Sequence, residues 1–140
     1  MKYRKILSVK ADVLYKQIVD EELAFFQFYD ASIQNLHQGL TIKRDFYTKL
    51  HHEAVPGKMK ITKMKENACF ETRISYQAGT LVQTYYIEAS GDQTYLTYEE
   101  DNSFTSKRFL RNYQLTSLFY KLIFNHQAKK RFRYLEEASS

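Results

Sequence analysis

Two hydrophobic periods follow one another in the second half of the chain. From Phe70 to Asp101, apolar and aromatic residues recur at every second position, with the turn sequences QAGT and SGD between the runs. A period of two predicts three consecutive antiparallel strands. After Phe104 the period becomes helical and stays so to about Glu137. Because a long helix beside a meander must bury one of its faces, this order favours an α+β fold in which the helix packs on the sheet.

A first strand and two short helices are predicted before this region. Residues 3–9 alternate loosely and predict the strand. Helical spacing of apolar residues predicts one helix over about residues 11–19. Asp20 is a favourable capping residue, and the two glutamates after it suit the positive end of a helix dipole. We therefore expect a second helix to begin at Asp20 and to run to roughly Ser32.

Further strands are predicted in the middle of the chain. After a break near Gly39 the period returns to two, which predicts a strand from Leu40. The sequence VPGK at residues 55–58 holds the chain's only proline next to a glycine, and this pairing predicts a turn. Another strand is expected to begin at Met59.

Composition predicts one domain over residues 1–140, because 44% hydrophobic and 16% aromatic residues are enough to build a core. Cys69 is the only cysteine, so no internal disulfide can form and a reducing compartment is the simpler interpretation. The apolar stretch near the start is too short for a signal peptide, and no apolar run approaches the ~18 residues of a membrane span. We expect a soluble, cytoplasmic protein.

The net charge of +5 is concentrated near the C-terminal end. Residues 107–137 hold eight basic and two acidic residues, whereas the part before them holds thirteen basic and fourteen acidic residues. Leucines interrupt the basic stripe of the predicted helix, so we expect no nucleic-acid partner. The cluster KKRFR suits an acidic lipid surface, but its place in the last turns of a helix, where cations interact favourably with the helix dipole, is the favoured interpretation.

The order of these elements resembles the helix-grip fold of the START-like (SRPBCC), pollen-allergen-like superfamily. The stretches that carry the resemblance are ILSVKADVLYKQIVD, TYYIEASGDQTYLTYEED and KKRFRYLEE. Their details are similar to an uncharacterised bacterial family within that superfamily. The resemblance implies a curved antiparallel sheet wrapped around the long C-terminal helix, with a cavity between them. In many relatives this cavity holds a lipid, a sterol or an aromatic compound.

The inner face of the predicted meander supplies candidate ligand-binding residues. They are Phe70, Ile74, Tyr76, Gln83, Tyr85, Ile87, Leu96 and Tyr98 on the strands, with Thr72 among them, and Tyr113, Tyr120 and Phe124 on the helix. Tyrosine combines an apolar ring with a polar group that orients a ligand. A packed core, in which each hydroxyl reaches solvent or a backbone carbonyl, is the open alternative. Val82, Thr84, Tyr86 and Tyr95 are expected on the solvated outer face.

These residues favour non-catalytic binding of a small hydrophobic or aromatic, lipid-like ligand. We expect no metal and no cofactor, because the adjacent His51 and His52 point to opposite faces of a strand and no phosphate or dinucleotide motif occurs. We expect a binding protein more than an enzyme. A catalytic alternative would use Glu100, predicted on the same face as Tyr98, as a general base.

A second functional alternative comes from leucines on the long helix. Leu115, Leu118 and Leu122 face away from the side that Phe124, Ala128 and Leu135 are predicted to turn toward the sheet. An apolar helix face needs cover. Cover within the chain is the first interpretation, a homodimer the second, and a membrane surface, reached with the nearby basic residues, the third.

Overall fold

The computed structural model describes residues 1–48, 51–104 and 107–140; the side chains of residues 44, 46–48, 51–55, 107–110 and 112–120 lie outside the description. Its elements are β1 (Lys2–Leu7), α1 (Ala11–Tyr29), β2 (Thr41–Thr48), β3 (His51–Lys65), β4 (Cys69–Tyr76), β5 (Gly79–Ser90), β6 (Gln93–Phe104) and α2 (Lys107–Ser139). Across the described residues, the six strands form one antiparallel sheet in the order β1-β6-β5-β4-β3-β2. The helix-grip prediction is therefore confirmed.

The predicted meander is present as β4, β5 and β6. Its register places Phe70 opposite Tyr85, and Tyr85 opposite Tyr98, so three inward aromatic residues lie side by side across the sheet. Gly91 has a φ of 62° in the turn between β5 and β6. This is the left-handed conformation that glycine adopts without steric cost, and it keeps the hairpin tight.

One continuous helix, α1, replaces the two short helices predicted after β1. Asp20 is not a cap: its carboxylate pairs with Lys16 one turn earlier, with 2.6 Å between Nζ and Oδ2. Leu14, Ile18 and Phe26 are fully buried along one face. Because burial of that face continues across the predicted junction, tertiary packing holds a single helix where the local capping signal favours a break.

The turn predicted at residues 55–58 is also wrong, because these residues lie within β3. Thr48 of β2 already pairs with His51, and Asp45 pairs with Pro56 further along the same ladder. The last pair between β3 and β4 joins Gly57 to Tyr76, so Pro56 lies just beyond the part of β3 that has neighbours on both sides. A proline is tolerated there because β4 does not pair with Pro56, so no N–H donor is required on that side of the strand.

The outer face of the sheet is less solvated than predicted. Tyr86 is 41% exposed, as the alternation requires, but Thr84 is only 3% exposed. The Thr84 hydroxyl donates to Oε2 of Glu71 on the neighbouring strand, and the Thr62 hydroxyl donates to Oε1 of the same carboxylate, each at 2.8 Å. The side chains joined by these cross-strand hydrogen bonds shield the middle of the outer face from water.

The C-terminal half of α2 closes the core. Phe124, Ala128 and Leu135 are buried as predicted, and Phe132 is buried beside them, with its ring 4.9 Å from that of Tyr3 in an edge-on contact. This half of α2 therefore packs over β1 and β6. Leu122 is exposed, so the cover within the chain that was the first interpretation for its face is wrong at this residue. The other helix residues assigned a facing, Tyr113, Leu115, Leu118 and Tyr120, have side chains outside the description.

Candidate functional site

A cavity with two adjoining lobes lies between α2, α1 and the inner face of the sheet. The first lobe has a volume of about 200 Å³ and the second about 250 Å³, and neither is fully enclosed. The lobes share Gln83, Tyr85, Tyr98 and Arg131; the first adds Glu22, Phe70 and Thr72, and the second adds Glu100, Phe124, Gln127 and Ala128.

Three aromatic rings form one wall of this cavity. Tyr85 and Tyr98 are register partners on β5 and β6, and their ring centroids are 4.9 Å apart at an interplanar angle of 40°. Phe124 from α2 stacks on Tyr98, with 5.7 Å between centroids and an angle of 14°. These separations are typical of favourable aromatic pairs, so the wall is an ordered surface on which a further ring could stack.

Arg131 connects α2 to the opposite walls of the cavity. Its Nη2 donates to Oε2 of Glu21 on α1 at 2.7 Å, and its Nε donates to the hydroxyl oxygen of Tyr85 at 3.3 Å. Burial opposes a charge on Arg131, but Tyr85 and Glu21 outweigh that effect and raise the pKa of the guanidinium. Arg131 therefore remains a fixed positive charge between the two lobes.

Glu22 is an acidic group that lines the first lobe. It follows Ile18 by one helical turn, so it lies on the buried face of α1. The surrounding protein removes water from its carboxylate and raises the pKa of Glu22 from 4.5 to about 7; Arg131 opposes this shift in part and Glu21 adds to it. The side chain keeps some accessible surface because the lobe is open. Near neutral pH, Glu22 is thus poised between its two protonation states.

Tyr98 and Glu100 form the polar part of the second lobe. The Tyr98 hydroxyl donates to Oε1 of Glu100 at 2.8 Å, which confirms that Glu100 faces the same side as Tyr98. Burial and the negative charge of Glu100 raise the pKa of Tyr98 well above its usual value, although Gln83 opposes the shift. Tyr98 therefore keeps its proton at neutral pH and serves as a hydrogen-bond donor.

The structure brings about half of the predicted ligand-binding residues to this cavity. Phe70, Gln83, Tyr85, Tyr98 and Phe124 line it, together with Thr72. The remaining described candidates belong to the core beside these two lobes: Ile74, Ile87 and Leu96, which are buried, and Tyr76, which packs half-buried against the core. The alternation identified the inner face for these residues. Their position along the strand decides whether the side chain borders the cavity or packs in the core. Tyr113 and Tyr120 have side chains outside the described part of the chain.

Two charged lining residues were missed in the sequence. Arg131 was assigned to the basic surface cluster, yet it follows Phe124 by seven positions and Ala128 by three, which places it on the same helix face. Glu22 was assigned to a helix start, although it lies midway between the buried Ile18 and Phe26. The helical spacing from buried residues therefore predicts that both side chains face inward. Their charge favoured the opposite interpretation, that they lie on the surface.

Among the described residues, no group of three or more His, Cys, Asp or Glu side chains is arranged to hold a metal ion. The helices, as far as they are described, include none that is long and apolar enough to cross a membrane.

Solved structures with the same architecture define the fold class. TTHA0849, a protein from Thermus thermophilus, superposes with a TM-score of 0.63 at 11% identity, covering 99% of this chain and 95% of that chain. A point mutant of Thalictrum flavum norcoclaurine synthase, in complex with a transition-state analogue, gives 0.61 at 10% identity over 100% and 95%. Ara h 8.0201 gives 0.60 at 12% identity over 99% and 95%. At these identities the likeness establishes the fold, which is the helix-grip fold.

The chain belongs to the domain-of-unknown-function family DUF3284, whose family model matches residues 1–124. No curated protein sequence matches it.

Proposed function

We propose that the protein binds a small aromatic molecule in the cavity between β5, β6 and the C-terminal half of α2. The observation that carries this proposal is the ordered wall of Tyr85, Tyr98 and Phe124 facing an open cavity. Aromatic walls with a few polar groups are typical of small-molecule sites. The norcoclaurine synthase structure is a complex with a transition-state analogue, so a protein of this fold can bind such an analogue.

The size of the lobes favours a ligand of one ring, or of two small rings. An apolar cavity of about 150 Å³ accepts benzene, and the two lobes here measure about 200 and 250 Å³. Gln83 and Arg131 border both lobes, and Glu22 and Glu100 border one each. Polar groups at these positions suit a substituted aromatic compound better than the acyl chain of a lipid, since an acyl chain would displace water from them without replacing its hydrogen bonds.

NMR titration with a library of one-ring and two-ring compounds tests this proposal. We expect binders to shift the resonances of Tyr85, Tyr98 and Phe124, and the Tyr98→Leu variant to lose at least about tenfold in affinity because it removes the centre of the stacked wall. Tyr86→Leu is the matched control, since Tyr86 lies 41% exposed on the outer face of β5. Binding that is equal in the two variants, or no binder in the library, would contradict the proposal.

A second candidate function is self-association through the outer face of α2. Leu122 and Ile123 are adjacent on α2 and are 69% and 44% exposed. A membrane surface is less well supported than a homodimer, because Arg131 of the basic cluster is turned inward toward Tyr85 and Glu21. Sedimentation equilibrium of the wild type and of Leu122→Gln tests this function: a dimer that the variant weakens supports it, and a monomer at all concentrations contradicts it.

A further inference from the structure

The charged side chains lining the cavity are unequally compensated. Glu22 and Glu100 contribute carboxylates to its walls, and Arg131 contributes the one guanidinium found among the lining residues of the described lobes. That guanidinium is already paired with Glu21, at 2.7 Å from Nη2 to Oε2. The lobes therefore face more negative charge than positive charge.

Glu22 is the carboxylate whose interactions are least complete. Glu100 accepts the Tyr98 hydroxyl at 2.8 Å. Within the described part of the chain, the carboxylate of Glu22 accepts no hydrogen bond and has no cation within ion-pair distance, although it lines the first lobe. Burial raises the pKa of Glu22 to about 7 although the nearby charge of Arg131 lowers it, so Arg131 compensates this carboxylate only in part.

We propose that the ligand carries a protonated amine, which binds at Glu22 while its aromatic part stacks on the wall of Tyr85, Tyr98 and Phe124. This inference rests on the proposed function and specifies the class of ligand. An ammonium group donates up to three hydrogen bonds and has a full positive charge, so it suits a carboxylate that accepts no hydrogen bond from the described residues and that Arg131 compensates only in part.

The aromatic wall favours the same ligand charge. The faces of phenol and benzene rings are electron-rich and attract a cation that lies within about 6 Å of the ring centre. Tyr85 and Tyr98 border the lobe that Glu22 also lines, so a cation held there would lie beside two aromatic rings.

An anionic ligand meets the opposite conditions. It could approach Arg131, but two donors of that guanidinium are already directed to Glu21 and Tyr85. Repulsion from the carboxylates of Glu22 and Glu100 would oppose it in both lobes, so the site discriminates against a carboxylate ligand.

Three probes of similar size and different charge test the inference on the wild-type protein. Phenethylamine is cationic, phenethyl alcohol is neutral and phenylacetate is anionic at neutral pH. Isothermal titration calorimetry is expected to show about tenfold tighter binding of the amine than of the alcohol, and the weakest binding for phenylacetate. If the alcohol or phenylacetate binds as tightly as the amine, the inference fails while the proposed aromatic site stands. If none of the three binds, both fail for ligands of one ring.

The Glu22→Gln variant locates the amine. We expect it to lose most of the preference for phenethylamine over phenethyl alcohol, and to bind the alcohol as the wild type does. Glu88→Gln is the matched control, because Glu88 lies on the outer face of β5, where it pairs with Arg4 at 3.5 Å. A Glu22→Gln variant that retains the full preference would overturn the assignment of the amine to Glu22. The wild-type comparison decides the ligand charge even if that variant does not fold.

Discussion

Arg131 on α2 and Glu21 on α1 form an ion pair across the edge of the cavity, with 2.7 Å between Nη2 and Oε2. The two side chains are 32% and 20% exposed, so the pair lies between the surface and the interior. The same guanidinium reaches the Tyr85 hydroxyl on β5. One side chain thus joins both helices and the sheet where the cavity lies.

Arg131→Met is predicted to destabilise the protein by about 1 to 3 kcal/mol. The change keeps an apolar stem but leaves Glu21 and Glu22 without a compensating charge. The expected loss of stability is larger than for breaking a surface ion pair and smaller than for breaking a fully buried one. Urea denaturation measures the difference. Arg133→Met serves as the control, since Arg133 is exposed on the same helix. Equal stability of the two variants would show that the Arg131 contacts contribute nothing.

The stability of the protein is predicted to fall as the pH rises from about 4.5 to about 7 through the titration of Glu22. In this window the folded state holds a proton that the unfolded state has released, because the pKa of Glu22 is raised from 4.5 to about 7 by burial. Below this pH window Glu22 is protonated in both the folded and the unfolded state, so it does not lower the free energy of unfolding. Above the window Glu22 is ionised in both states, and burial of its charge lowers the free energy of unfolding by on the order of 1 to 3 kcal/mol.

The Glu22→Gln variant isolates this contribution from those of other titrating groups. We expect the variant to match the wild type near about pH 4.5 and to be more stable by on the order of 1 to 3 kcal/mol near about pH 8. Chemical denaturation across the pH range measures both. A constant difference between the two proteins at all pH values would mean that the pKa of Glu22 is the same in the folded and unfolded states.

Thr94→Val is predicted to cost about 1 to 2 kcal/mol, because it leaves a buried carbonyl without its donor. The Thr94 side chain is fully buried, and its hydroxyl donates to the carbonyl oxygen of Val9 at 2.6 Å. Thr97→Val is the control on the same strand, where the side chain is half-buried. Thermal unfolding that ranks Thr97→Val as the more damaging change would argue against this role for Thr94.

Asp20→Ala is predicted to change the stability by less than about 0.5 kcal/mol. Removing a helix cap costs about 1 kcal/mol, whereas losing an exposed pair with Lys16 inside a continuous helix costs a few tenths, which the better helix propensity of alanine partly offsets. The measurement therefore distinguishes one helix over Ala11–Tyr29 from two. A loss above about 1 kcal/mol would support a helix start at Asp20.

Much of the candidate site could be read from the alternation of β4–β6. The period of two assigns Phe70, Tyr85 and Tyr98 to one face, and the helical period assigns Phe124 to the side that meets them. The alternation could not separate residues that border the cavity from residues that fill the core, such as Ile87 and Leu96, because both kinds share the same face. It could not tell which inner hydroxyls are satisfied within the core either; the bond from Thr94 to the Val9 carbonyl joins residues far apart in sequence.

The sequence by itself determined the order of the strands in the meander, the long C-terminal helix and the face that each turns inward, because these follow from periods of two and 3.6 residues that each segment carries locally. Tertiary structure decided the remainder. Packing of Ile18 and Phe26 against the core made one helix where a capping signal predicted two. Placement of α1 opposite α2 brought Glu21 to Arg131, and Glu22 to the cavity beside it. Arg131 lines the cavity where Glu21 and Tyr85, from distant segments, meet it, and no local pattern records that meeting.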